Sequence, residues 1–176
     1  SPQLVANVDD EAIGTLSFTG DVEEGGTLTA VTNVTDVDDT NITFTYQWQI
    51  ADDSSSFDSS SNIDGGNNKE FTIPSDQSYV DKYIRVTAVS TDDRGGTTSF
   101  ESSPQLVANV EDEATGTLLI DGVVQEGATL TADTSGISDV DTNNEPLTFT
   151  FQWQLADDSS SFDSSSNIDG GINKEF

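Results

Sequence analysis

The side chains able to do chemistry in this sequence are overwhelmingly carboxylates. Against 33 Asp and Glu stand five Lys and Arg, with no His, Cys or Met in 176 residues and a formal charge of −28. The acids fall in short runs: Asp9, Asp10 and Glu11; Asp36, Asp38 and Asp39; Asp92 and Asp93; and, further on, Glu111, Asp112 and Glu113, then Asp139 and Asp141. Glu24 stands in a Glu-Glu-Gly-Gly turn between them. Without imidazole or thiolate the chain cannot build a zinc site, a cysteine nucleophile or a Ser/His/Asp relay. What remains for a metal is hard oxygen chemistry, which suits Ca2+ with its six to eight oxygen ligands. Paired carboxylates can also hydrolyse glycosides, but only when an apolar cleft raises the pKa of one of them. Here the acids stand among Ser, Gly and other acids, so no catalytic activity is expected.

Charge and composition bound the partners. A chain this anionic repels nucleic acid and anionic lipid, so no nucleic-acid partner is expected. No apolar run approaches the roughly 18 residues of a membrane span, so no membrane insertion is expected, and the first residues do not read as a signal peptide. With no Cys there can be no disulfide framework, which leaves packing and bound ions as the sources of stability.

The elements that must position these acids come as a repeat. The sequence beginning SPQLVANVDDEA at Ser1 returns as SPQLVANVEDEA at Ser103, a shift of 102 residues. TFTYQWQIADDSSSFDSSSNIDGG at Thr43 returns as TFTFQWQLADDSSSFDSSSNIDGG at Thr148, a shift of 105. The three extra residues are assigned to Gly136, Asn144 and Glu145 in one loop region, where length changes cost little. Residues 1–8 accordingly read as the last strand of a preceding repeat, 9–110 as a complete repeat and 111–176 as a second repeat without its final strands.

Each repeat reads as all-β. Ile42, Phe44, Tyr46, Trp48 and Ile50 alternate with polar residues, and Leu147, Phe149, Phe151, Trp153 and Leu155 do the same in the second copy. That period of two buries one face of a strand. Further strands are expected over 14–19, 27–32, 57–63, 70–73, 83–90 and 97–107, short and β-branched between Gly, Asp, Asn and Ser clusters. Seven strands in about 100 residues with a central Trp fit tandem immunoglobulin-like Greek-key sandwiches of about 102–105 residues per repeat, with Trp48 and Trp153 as core plugs. In such a frame the incoming chain, the second-to-third strand loop and the sixth-to-seventh strand loop share one pole, which gathers Asp9, Asp10 and Glu11 with Asp36, Asp38, Asp92 and Asp93. The second copy would set Glu111, Asp112 and Glu113 beside Asp139 and Asp141, with Glu24 at the opposite pole of the first copy, facing the junction. Carboxylates about 4 Å apart repel by roughly 1–4 kcal/mol per pair, and a shared dication removes that repulsion while stiffening the linker. The competing reading is that these acids are solvated loop residues that keep the protein soluble. The segment 52–66, rich in Ser and Asp, reads either as a polar hairpin at the sandwich edge or as a second ion or glycan site.

The run EEGGTLTA, then DVDD, YQWQ and YIRVTAVSTDDRGG, closing on QLVANVEDEATG, resembles the immunoglobulin-like or cadherin-like tandem repeats of giant bacterial secreted surface proteins of adhesin type. The resemblance implies an extracellular, cell-surface location and a spacer role in cell adhesion, with neighbouring repeats of the same chain as partners. It also implies calcium at the inter-repeat junctions, since Asp36-Val37-Asp38 and Asp139-Val140-Asp141 match the Asp-x-Asp pair of cadherin junctions. The acidic linker of cadherins is only partly matched by the sequence from Asn109 to Ala114, and the Gly-rich calcium nonapeptide of such secreted proteins does not occur. An alternative expectation is self-assembly, with other copies joined in a fibre or surface layer through strand or lateral contacts.

Overall fold

A computed structural model describes residues 2–6, 8–142 and 146–176. Asn144 and Glu145 of the expected insertion, and Ser1 and Asn7 of the first eight residues, lie outside the described residues. The chain is all-β and divides into two compact units, Ser1–Val110 and Glu111–Phe176.

The first unit has two antiparallel sheets. One is ordered β1 (Ile13–Thr19), β2 (Thr27–Thr35) and β4 (Glu70–Thr72). The other pairs β3 (Thr43–Ala51) with β5 (Tyr83–Thr91), whose far edge takes β6 (Thr97–Glu101) and β7 (Gln105–Leu106). Alternation along each strand sends Leu16 and Phe18 of β1, Leu28 and Ala30 of β2, Trp48 of β3 and Ile84, Val86 and Ala88 of β5 into one core. Trp48 sits at its centre, fully buried, edge-on to Phe18 at 5.4 Å and stacked on Phe71 at 5.8 Å. Its indole N–H donates to Asn68 O at 3.0 Å, which satisfies the only polar atom that the side chain brings inside.

Three expected strands of the first unit differ. Instead of a strand over 57–63 there is a 3-10 turn at Ser59–Ser61, because Asp58 caps it: the Asp58 side chain accepts from Ser60 N–H and the Ser61 side chain answers to Asp58 N–H. The strand expected over 97–107 is broken at residues 102–104. Pro104 has no N–H to give a ladder, and the Ser102 hydroxyl takes the Val86 N–H at 3.0 Å in place of a backbone carbonyl. The described members of residues 1–8 form no strand, and Leu4 and Val5 are almost fully exposed, whereas Val107, the repeat counterpart of Val5, is fully buried.

The second unit carries the same sequence with less order. β8 (Thr115–Gly116) pairs β11 (Ile137–Ser138), and β9 (Leu119–Asp121) pairs β10 (Thr131–Asp133). The alternating segment Leu147 to Leu155 was expected to be a strand but has no ladder here. A strand exists only by pairing, and the element that pairs with β3 in the first unit has no counterpart among the described residues of the second.

Candidate functional site

The first unit gathers its acids where the chain enters the fold. In the β2–β3 loop the Asp36 carboxylate accepts from Asp38 N–H at 2.8 Å, which turns the backbone so that Asp38 Oδ2 accepts from Asp10 N–H at 2.7 Å. Asp39 accepts from Asn41 N–H at 2.9 Å and from Asp93 N–H at 2.7 Å, so the same loop grips both the incoming chain and the β5–β6 turn. That turn is shaped by Asp92, whose Oδ1 accepts from Arg94 N–H at 2.7 Å and Gly96 N–H at 2.9 Å.

The other Asp92 oxygen is left facing Asp9 across Gly96. A Cβ at position 96 would lie 2.3 Å from Asp92 Oδ2 and 2.5 Å from Asp9 Oδ2, so these two oxygens are within 4.8 Å of each other. A separation of that size could be spanned by one hard metal ion. The carboxylates open on a pocket of about 270 Å³ lined by Asp9, Asp10, Glu11, Asp36, Asp92 and Gly96, among others. Asp38 stands beside it, 3.8 Å from the Arg94 guanidinium. Asp93 is spent on the loop tie, its Oδ1 accepting from Asn41 Nδ2 at 3.0 Å.

The electrostatics follow from this crowding. Desolvation first, then the charges of Asp92, Asp36 and Asp38, raise the Asp9 pKa, with Arg94 pulling the other way. Asp39 is lowered, chiefly by the N–H groups of Asn41 and Asp93. The donor set is all oxygen, carboxylate-rich and held by backbone amides on its outer side, a set that could hold a hard metal ion.

The second unit repeats the tie residue for residue. Asp112 N–H donates to Asp141 Oδ2, and Asp141 N–H to Asp139 Oδ1 at 2.9 Å. Glu111 and Glu113 flank this tie and are exposed. Glu24 lies in the turn between β1 and β2. It is buried where the first unit ends, accepting from Val110 N–H at 2.8 Å and Gln77 Nε2 at 3.3 Å.

Sequence reasoning missed Gly96 and Asn41 as parts of the site. The Gly-Gly that follows Asp-Asp-Arg was the available signal for the first, since a bare Cα lets two carboxylates approach one point. In the serine-rich segment 52–66, Asp53 and Asp58 are satisfied by neighbouring serines. Asp53 accepts from the side chains of Ser56 and Ser55 and from Ser55 N–H, and its pKa is lowered to about 2. Asp158 of the second copy is lowered to about 2 through Ser160 and Ser161.

Comparison with protein-family models, with curated proteins and with solved structures returns no match.

Proposed function

We propose that the chain is part of a non-catalytic extracellular spacer, a tandem array of immunoglobulin-like Greek-key sandwiches of the adhesin type. In this reading, calcium bound by the acids at the N-terminal pole of each repeat stiffens the passage from one repeat to the next. The observation that carries the reading is the doubled tie: Asp36, Asp38 and Asp10 in one unit, Asp139, Asp141 and Asp112 in the other, joined by the same two hydrogen bonds. A carboxylate that only solubilises a loop has no need of a fixed partner, whereas ligands must be held before the ion arrives. The two-layer antiparallel arrangement of the first unit and its central Trp48 support the sandwich class.

The chain as it stands is the test. Millimolar calcium should raise its melting temperature and lengthen the maximum dimension in small-angle scattering, and chelator should reverse both. A melting curve and a scattering profile that are the same in calcium and in chelator would remove calcium from the reading, leaving only the fold.

A further inference from the structure

Residues 107–110, where the first unit ends, are gripped from two sides. On one side Asp81 N–H donates to Val107 O at 3.1 Å and Val107 N–H to Lys82 O at 2.8 Å. Asp81 adopts the left-handed backbone, φ 61°, a conformation uncommon outside glycine that persists where surrounding bonds hold it. On the other side Ala108 N–H donates to Val22 O at 2.9 Å and Glu24 N–H to Ala108 O at 3.2 Å, which sets Glu23 beside Ala108 in a parallel bridge.

In a parallel ladder the next bond falls two residues on, so Val110 N–H would donate to the Glu24 carbonyl. The main chain turns away before that can happen. Gly25 has φ 72° and donates its N–H to Pro74 O at 3.2 Å, and Gly26 N–H closes back on Glu23 O at 3.0 Å. The Glu24 side chain supplies the missing acceptor instead. Its Oε1 accepts from Val110 N–H at 2.8 Å, while Gln77 Nε2 donates to Oε2 at 3.3 Å and holds the carboxylate in place. A charged acceptor binds an amide more strongly than a carbonyl does. The second copy keeps the same pair of residues, Glu126 ahead of Gly127 at φ 75°.

We propose that Glu24 is a carboxylate latch. Standing in for the next main-chain acceptor of the ladder, it extends the grip on the exit segment to Val110 and fixes the last residue of the first unit by hydrogen bonding alone. This use of Glu24 differs from the ligand role that the sequence suggested, and it stands whether or not calcium binds beside Asp9 and Asp92.

Nitrogen-15 relaxation of the full chain in chelator reads the latch directly, because order on the nanosecond scale is separable from overall stability. In the natural chain the Val110 amide should have the order parameter of rigid backbone, about 0.85. Glu24→Ala should lower it below about 0.6, with Ala108 and Trp48, whose amides are held by main-chain carbonyls, still rigid. Glu24→Asp, one methylene short of reach, should behave like Glu24→Ala, whereas Glu24→Gln keeps an oxygen at the same reach and should stay close to the natural chain. Millimolar calcium should leave the Val110 value where chelator had it. A Val110 amide already mobile in the natural chain would overturn the proposal by itself, even if no variant folded. So would a Val110 amide that stays rigid in Glu24→Ala, or a loss of order there that Ala108 and Trp48 share. Release of Val110 on adding calcium would overturn it too, since an ion and not the exit segment would then hold Glu24.

Discussion

Gly96 shows how much a missing side chain can decide. Asp92 cannot retreat from a larger residue at 96, because its Oδ1 is held by the amides of Arg94 and of residue 96 itself. Gly96→Val should therefore spread Asp9 and Asp92 apart and, on the calcium reading proposed above, weaken calcium binding at least ~tenfold by isothermal titration calorimetry, with the fold otherwise kept. Asp9 shifts in the opposite direction from Asp39, Asp53 and Asp158. Its folded pKa lies above the ordinary value, so ionising it disfavours the folded state as pH rises from the ordinary value through the raised one. Asp9→Asn should accordingly raise the melting temperature in chelator and, on the calcium reading proposed above, shrink the gain on adding calcium, two movements that thermal melts read directly. Asp53 and Asp158 behave in the usual direction. Their pKa values of about 2 mean stability present above the ordinary carboxylate range and lost as pH falls toward 2. Carboxyl carbon-13 titration should find both midpoints near 2, and Ser56→Ala should move the Asp53 midpoint upward while leaving that of Asp158 alone.

Among the elements, β3 and its repeat counterpart run nearly the same sequence to different ends. In the first unit β3 has β5 along its whole length, and Trp48 is closed off from solvent. In the second unit Trp153 keeps its indole bond to Asn173 O at 2.9 Å and stacks on Phe176 at 5.7 Å, yet remains only partly buried. Removing the two side chains should therefore cost unequal amounts. Trp48→Ala is expected to destabilise the first unit by about 3–5 kcal/mol in urea titration, as for other large core truncations. Trp153→Ala, with less surface withdrawn from water, should cost below about 2 kcal/mol. Equal losses would show that the second unit packs as tightly as the first.

At the scale of the molecule, burial of apolar side chains is unevenly shared between the two units. Large apolar side chains such as Val124 at 83% and Leu155 at 76% exposure lie on the second unit, while the continuous core of buried residues belongs to the first. Amides of residues 148–155 should exchange with deuterium faster than those of residues 43–51. The formal charge of −28 adds self-repulsion throughout, so moderate sodium chloride should raise the melting temperature by screening, and calcium should do so at far lower concentration if it binds at fixed sites.

The repeat, the all-β class, the Trp-centred core and the crowding of acids where the chain enters the first unit were legible in the sequence, because alternation and duplication are local patterns that need no partner to be seen. The turn at Ser59–Ser61 was not, since an aspartate cap and a strand start look alike in a run of Ser and Asp. Tertiary structure alone decided three further things: that Asp92 and Asp9 meet across Gly96, that Asp93 is spent on a tie to Asn41, and that Glu24 is buried against Val110 N–H. It also decided that one alternating segment is a strand and its near-identical copy is not. The physical reason is common to all four. A side chain's type and its own face follow from its neighbours in the chain, but its burial, its partner and the ladder it joins depend on residues that only folding brings beside it.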